Sequence, residues 1–389
     1  MNITKSEALN RLPKQFFAEL VRKATELKQT HDDVINLGQG NPDQPTPEHI
    51  VEKLKEASSN PLYHKYPPFS GYDFLKEAVA EYYWREFQVK IDPKTEVAVL
   101  SGTKTGLVEI SQCLLNSGDT AMVPDPGYPD YWSGIALADA KMYTMPLVEE
   151  HGFHPQYQDI PDETLEQAKL MFLNYPNNPT GATADVELFT KTIALAKKHE
   201  IAVVHDFAYG AIGFDAQSPI SFLETPGAKD VGIEMMTLSK TYNMAGWRIG
   251  FAVGNSQMIE AINLIQDHYY CSIFGGLQEA AAYALTADQS SVKELVATYE
   301  SRRNVLIEEA AKIGWKVDAP AGSFFAWFPV PEGFTSEAFA DQLLYEARVV
   351  VAPGNGFGEY GEGFVRLGLL CSEEELKEAI QRIGRLKLF

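Results

Sequence analysis

Residues Glu234–Gly254 read EMMTLSKTYNMAGWRIGFAVG, and the fold turns on how they are parsed. One apolar run, Glu234–Ser239, stops at Lys240. A polar and aromatic turn follows, and a second run, Ile249–Val253, leaves from Arg248. Short, nearly continuous apolar runs bounded by turn residues read as strands buried on both faces. Upstream the same pattern recurs at Glu96–Ser101, Thr120–Pro124, Lys141–Pro146, Leu170–Asn174 and Ile201–Asp206. Helical stretches such as Thr105–Leu115 and Val186–His199 lie between them. This alternation predicts an α/β fold with a mostly parallel seven-stranded sheet.

The rhythm changes after about residue 290. A charged helix, Ser291–Ile313, precedes apolar runs at Phe324–Val330, Val349–Ala352 and Phe364–Leu370, and a helix follows from Ser372 to about Ile383. That reads as a smaller α+β domain. The N-terminal segment has no strand partner of its own and is expected to pack on the C-terminal part. The expected division is 46–285 for the large domain, with 1–45 and 286–389 forming the small one.

The composition excludes several functions. Acidic residues number 53 against 33 basic ones, a formal charge of −20. Such a chain is repelled by nucleic acid and by anionic membranes, so neither is an expected partner. Hydrophobic residues at 45% against 22% charged argue for a packed core over disorder. No run is long enough to span a bilayer, and the N-terminus has no apolar signal segment. Cys113, Cys271 and Cys371 are scattered and form no metal-binding spacing. A reducing cytoplasm is the expected home.

Gly356-Phe-Gly358-Glu-Tyr-Gly361 fits the G-x-G-x-x-G pattern of dinucleotide sites. Such a site needs a helix next, and the following FVRLGLL is strand-like, so nicotinamide binding is rejected. The strand ends are more informative. Lys240 is either a surface lysine or a Schiff-base nucleophile. Arg248 is either a satisfied surface charge or a phosphate anchor. Asp206 closes IAVVHDFAYG, with Tyr209 three residues on; it is a turn aspartate or a ligand-binding carboxylate at a strand's carboxyl end. Asn174–Gly181, NYPNNPTG, alone marks a turn. Ser101–Gly106, SGTKTG, opens a helix and is a plain cap or an anion site. Tyr128, in the proline-rigid PDPGYPDY, plugs the core or stacks on a planar ligand.

Together these strand ends collect an anion cradle, an arginine, an aromatic ring, an acid and a reactive lysine. That set suits pyridoxal 5′-phosphate. With SGTKTG, PDPGYPDY, NYPNNPTG, HDFAYG, TLSKTYNMAGWRIG and GEGFVRLG in one chain, the sequence resembles the fold-type I pyridoxal-phosphate aminotransferases of class I/II, from about residue 35 to 370. The resemblance implies roles. Lys240 matches the lysine that bonds the cofactor and shuttles the substrate's proton. Asp206 matches the carboxylate that keeps the pyridine nitrogen protonated, and Asn178 and Tyr209 match donors to the ring's phenolic oxygen. Tyr128 occupies the stacking position. Gly102, Thr103, Lys104, Thr237, Ser239 and Arg248 match the phosphate cup. Arg366 resembles the arginine that grips the substrate α-carboxylate, and Gly38 matches a residue whose backbone approaches it. Tyr66 resembles a tyrosine that reaches the phosphate of a neighbouring subunit, which implies a homodimer with shared sites.

Dicarboxylate-specific relatives carry a second arginine soon after the Arg248 motif. Here Gln266–Gly276, QDHYYCSIFGG, has neither lysine nor arginine, so a neutral side chain is expected. Phe16 and Phe17 either line an apolar pocket or belong to a helix core, with core the better expectation. Beyond the motifs, LPKQFFAELV and APAGSFFAWFPVPEG resemble the Bacillus-type methionine-salvage branch, which aminates 2-oxo-4-methylthiobutyrate. Rival readings are a carbon–sulfur β-lyase on the same scaffold and a broad aromatic or alanine aminotransferase. A non-enzymatic regulator built behind a DNA-binding module is disfavoured by the charge and by a match that begins near residue 12.

Overall fold

Side chains from distant parts of a chain meet where strands end together, so the strand order is the fact that builds the site. A computed structural model describes residues 3–14 and 16–389. Its strands, in chain order, are β1 Ile35–Asn36, β2 Val97–Leu100, β3 Thr120–Asp125, β4 Lys141–Pro146, β5 Ala168–Asn174 and β6 Ala202–Asp206. They continue with β7 Gly232–Thr237, β8 Gly250–Gly254, β9 Phe325–Pro329, β10 Val349–Val350, β11 Ala352–Pro353 and β12 Phe364–Gly368. The main sheet has seven strands in the order β2-β8-β7-β6-β5-β3-β4. Neighbours from β7 through β4 are parallel, and β8 runs antiparallel to both β7 and β2. The expected mostly parallel seven-stranded α/β sheet is present.

Its strands read as continuous apolar runs because both faces are covered. Along β2, Val97 and Val99 enter one core cluster while Ala98 and Leu100 enter another. Met171 and Leu173 of β5 likewise face away from Leu170 and Phe172. Burying a side chain such as Phe172 stabilises the fold by about 2–3 kcal/mol. The connecting helices are delimited by local chemistry. Val186–His199 starts where the Asp185 carboxylate accepts the Leu188 N–H at 2.7 Å, and it ends in Lys197, Lys198 and His199. Both ends complement the helix dipole. Glu373–Arg385 opens on a capping box between Ser372 and Glu375.

A second, antiparallel sheet has the order β11-β12-β9, and β1 pairs in parallel with β10. A third apolar cluster packs these strands against the helices Ser290–Lys312 and Glu373–Arg385. Two expectations change here. Val349–Ala352 is not one strand: β10 turns to β1, and β11 turns to β12. The N-terminal segment meets the C-terminal part as expected, through the two-residue β1, which is too short to show a period and has its partner in β10. The run ending at Ser239 also stops earlier as a strand, because Leu238–Thr241 coils into one helical turn capped by the Thr237 side chain. Among the described residues, no helix is long and apolar enough to cross a membrane.

Candidate active site

The carboxyl ends of the parallel strands face a cavity of about 630 Å³. It lies within the size range of ligand pockets, at the end of the sheet where α/β folds bind ligands. Asp206 ends β6, Thr237 ends β7 and Lys240 rides the helical turn just after it. The Lys240 Nζ donates to the Gly40 carbonyl at 2.9 Å and lies 5.3 Å from the Phe324 ring centre. Burial, then the charges of Arg366 and Arg248, lower its pKa to about 8, with Asp206 opposing. Near that pH the amine loses its proton readily, as a carbonyl nucleophile or a carbon base must.

Asp206 is 5% exposed. Tyr131 donates its hydroxyl to the Asp206 Oδ2 at 2.9 Å. The other oxygen, Oδ1, is buried and has no hydrogen-bond partner among the described residues. Burial raises the carboxyl to about 6, against the Tyr131 hydrogen bond, His205, the Ala208 N–H and Lys240. A buried acceptor left open beside a cavity is costly unless a ligand donor fills it. A protonated ring nitrogen is such a donor.

The anion cradle follows from backbone geometry. Gly102 has φ +81°, and a Cβ there would strike the Arg248 guanidinium. Only glycine allows that approach. The helix Thr103–Leu114 starts directly after it with no side-chain cap, so its first N–H groups are open to an anion. Arg248 has φ +55° and is anchored by donation from its Nη1 to the Ala245 carbonyl at 3.0 Å. A left-handed non-glycine residue costs roughly 1–2 kcal/mol, which fits a side chain held in place for binding. Thr237 and Ser239 share a 3.0 Å hydrogen bond between hydroxyls and also line the cavity. The Lys104 ammonium pairs with Asp130 at 3.0 Å instead of facing the cradle, so Lys104 has its backbone N–H left to offer an anion.

Arg366 crosses the cavity from β12. Its Nη1 donates to the Asn178 Oδ1 at 2.8 Å, and its Nη2 donates to the Gly38 carbonyl at 3.0 Å. Gly38 thus meets this arginine through its carbonyl. The guanidinium carbon lies 3.9 Å from the Phe325 ring centre, 4.8 Å from Phe357 and 5.4 Å from Phe17. Burial lowers its pKa to about 10, so it remains cationic at neutral pH. Its Nε is buried and has no partner among the described residues. A caged cation with spare donor capacity suits a carboxylate.

Of the residues singled out from sequence, Gly38, Thr103, Lys104, Tyr128, Asn178, Asp206, Tyr209, Thr237, Ser239, Lys240, Arg248 and Arg366 line this one cavity, and Gly102 abuts it through Arg248. Tyr66 does not: it is 89% exposed and away from the cavity of its own chain. Gln266–Gly276 also contributes nothing to the lining. The expectation for Phe17 is corrected, since it lines the cavity, whereas Phe16 packs behind it against Phe357. Sequence reasoning missed Tyr131 and Asn174. Asn174 donates its Nδ2 to the Asp206 carbonyl at 2.7 Å and accepts the Asn178 N–H at 2.7 Å through Oδ1. Both sit inside motifs already quoted, and the turn residues beside them drew the attention. No cluster of metal-ligating side chains occurs among the described residues.

Comparison with known proteins gives the family. The sequence profile of aminotransferase class I and II matches residues 32–383. The chain is 64% identical to the L-glutamine–4-(methylsulfanyl)-2-oxobutanoate aminotransferase of Bacillus subtilis, across 100% of this chain and 98% of that one. It is 43% identical to the LL-diaminopimelate aminotransferase of Moorella thermoacetica, across 97% of each. Among solved structures, substrate-bound BacF from Bacillus subtilis superposes with a TM-score of 0.95 at 52% identity, covering 100% of this chain and 98% of that one. Profile, relatives and fold agree, and the chain belongs to the class I and II aminotransferases.

Proposed function

We propose that this aminotransferase holds pyridoxal 5′-phosphate in the cavity and converts 2-oxo-4-methylthiobutyrate to methionine, taking the amino group from a second amino acid. The observation that carries the cofactor reading is the open, buried Asp206 Oδ1 in one cavity with Lys240. Asp206 would hold the ring nitrogen, Tyr128 its face, and Asn178 and Tyr209 its phenolic oxygen. Gly102, Thr103, Lys104, Thr237, Ser239 and Arg248 would hold the phosphate. When bound, the cofactor supplies an aldehyde to take up the amino group and an electron sink for the charge left at Cα.

Lys240 supplies the base. Its Nζ would take the proton from the substrate Cα and hold it for return, and a depressed pKa favours that exchange at pH near 8. Arg366 fixes the α-carboxylate through its fork, which orients the Cα–H bond for that transfer. Phe17, Phe325 and Phe357 exclude water from the same guanidinium. Because the product leaves before the second substrate binds, the two half-reactions give ping-pong kinetics.

Support for a neutral substrate comes from the far wall. Phe17, Leu20, Val21, Ala24 and Val350 line it, and all are apolar. A flexible thioether packs well on such a surface, whereas a distal carboxylate would be left without a partner. The name of the Bacillus subtilis relative points to the same oxo acid. The active unit in this reading is a cytoplasmic homodimer in which Tyr66 reaches the partner's phosphate site. The division into a large part, 46–285, and a small part built from 1–45 and 286–389 belongs to the same proposal.

Incubating the loaded protein with 2-oxo-4-methylthiobutyrate and a panel of amino donors tests the reaction. Methionine should form, with L-glutamine among the effective donors. Release of pyruvate and ammonia from cystathionine without any oxo acid, and no methionine, would replace this reading with the β-lyase.

A further inference from the structure

The G-x-G-x-x-G run of residues 356–361 leads into strand β12 and not into the helix a dinucleotide site needs, yet its glycines are all used. It forms the tip of the loop between β11 and β12, and β12 carries Arg366. The tip meets the end of β3. Asp125 is 3% exposed, and its carboxylate accepts the Glu359 N–H at 3.1 Å through Oδ2 and the Tyr360 N–H at 3.0 Å through Oδ1. Two residues further on, the Gly127 N–H donates to the Phe357 carbonyl at 2.8 Å. Gly358 has φ +133°, and a Cβ on it would run into the Asp125 carboxylate. A Cβ on Gly356 would meet the Phe16 ring, and one on Gly361 would meet the Gly354 carbonyl.

We propose that Asp125 is a positioning residue: by gripping the glycine loop it seats Phe357 against Arg366 and so sets the affinity for substrate α-carboxylates. This rests on Arg366 being the carboxylate site. The two sides of the clasp are unequally held. Asp125 is fixed within the main sheet, in register with Pro146 and with its own carbonyl accepting the Leu147 N–H at 2.7 Å. The loop is anchored at its ends by β11 and β12, near β12 by Ser336, which donates its N–H to Glu362 at 2.7 Å and accepts the Gly363 N–H at 2.9 Å, and at its tip by the Asp125 carboxylate and the Gly127 N–H. Loss of the carboxylate therefore leaves the tip on the single Gly127 N–H bond and loosens it, with β3 in place. Phe357 moves with the loop, and Arg366 loses one wall of its cage. Tyr128, three residues beyond β3 and packed on Tyr131 with ring centres 5.7 Å apart, stays where it is.

The effect should separate carboxylate binding from cofactor binding. In the loaded enzyme, Asp125→Ala should weaken 4-methylthiobutanoate, an unreactive carboxylate, by about tenfold or more, as removal of a charge-assisted hydrogen-bond pair does. The KM for methionine should rise in parallel, with kcat and the cofactor dissociation constant each within about threefold of the parent. Gly358→Ala should reproduce the effect, and the double variant should be no worse than either single one, since both break one contact. Asp125→Asn, which keeps the volume and one acceptor oxygen, should fall between, and it carries the test if Asp125→Ala does not fold. Unchanged carboxylate affinity in Asp125→Ala while Arg366→Ala loses it would overturn the clasp alone. Unchanged affinity in both would overturn the carboxylate site and the clasp with it. Equal loss of cofactor and carboxylate would also overturn the clasp, by showing a general loosening.

Discussion

The two sides of the cavity are built in different ways. The floor is the end of the main sheet, where Asp206 and Thr237 end strands, Lys240 rides the turn after β7 and Arg248 leads into β8. The opposite wall is assembled from pieces far apart in the chain: Phe17, Gly38, Phe325, Phe357 and Arg366. On the floor a residue's position follows from the strand that carries it, and the chemistry is fixed there by rigid backbone. On the wall every position depends on segments that meet only when the chain ends pair, β1 with β10 and β11 with β12. Floor changes should therefore damage the reaction itself, and wall changes should damage recognition.

Substitutions at three positions sharpen that contrast. Arg366→Ala should lower kcat/KM for methionine by about two to three orders of magnitude, because a buried carboxylate would be left without its partner. Lysine at the same position should not rescue it, since one ammonium cannot reproduce the fork. Asp206→Asn should lower kcat strongly while stabilising the cofactor-free protein. Burial raises the folded carboxyl to about 6 from its ordinary 3.8, so the folded state holds its proton more tightly than the unfolded one. Stability therefore falls as pH rises through that window, and the loss is complete above about 6. The variant escapes it, a gain on the order of 2–3 kcal/mol at pH 7.5 that fades as pH drops toward 4. Thermal unfolding of both cofactor-free proteins across that range measures it. Phe17→Ala should have the smallest effect, roughly a tenfold loss in preference for methionine over alanine with little change in kcat for alanine. If Phe17→Ala proved as harmful as Asp206→Asn, the division of labour between floor and wall would be wrong.

The same contrast explains what could be read from the residues alone. Lys240, Asp206 and Arg248 were legible because each lies in a contiguous run that joins an apolar strand to a turn of unusual chemistry. Phe17 was not, since an aromatic on an amphipathic helix has the same period whether it faces a core or a cavity. Val349–Ala352 is apolar throughout, and such a run carries no mark of where it changes sheets. Tyr131 stacks on Phe172 at 4.9 Å and reaches Asp206 across the sheet, a contact that exists only once β3, β5 and β6 lie side by side. Lys104 matches the phosphate cup by its place in SGTKTG, and the pairing of its ammonium with Asp130 could not be foreseen from their spacing. Tyr66 has no role within one chain, so its assignment depends on a second copy.

The visible spectrum of the purified protein, loaded with pyridoxal 5′-phosphate and then mixed with L-methionine, tests the central claim most directly. The account predicts a visible band that methionine bleaches, while Lys240→Ala stays folded, binds the cofactor and turns over no substrate. A parent protein that shows no band after loading, or a Lys240→Ala protein that still transaminates, would contradict it.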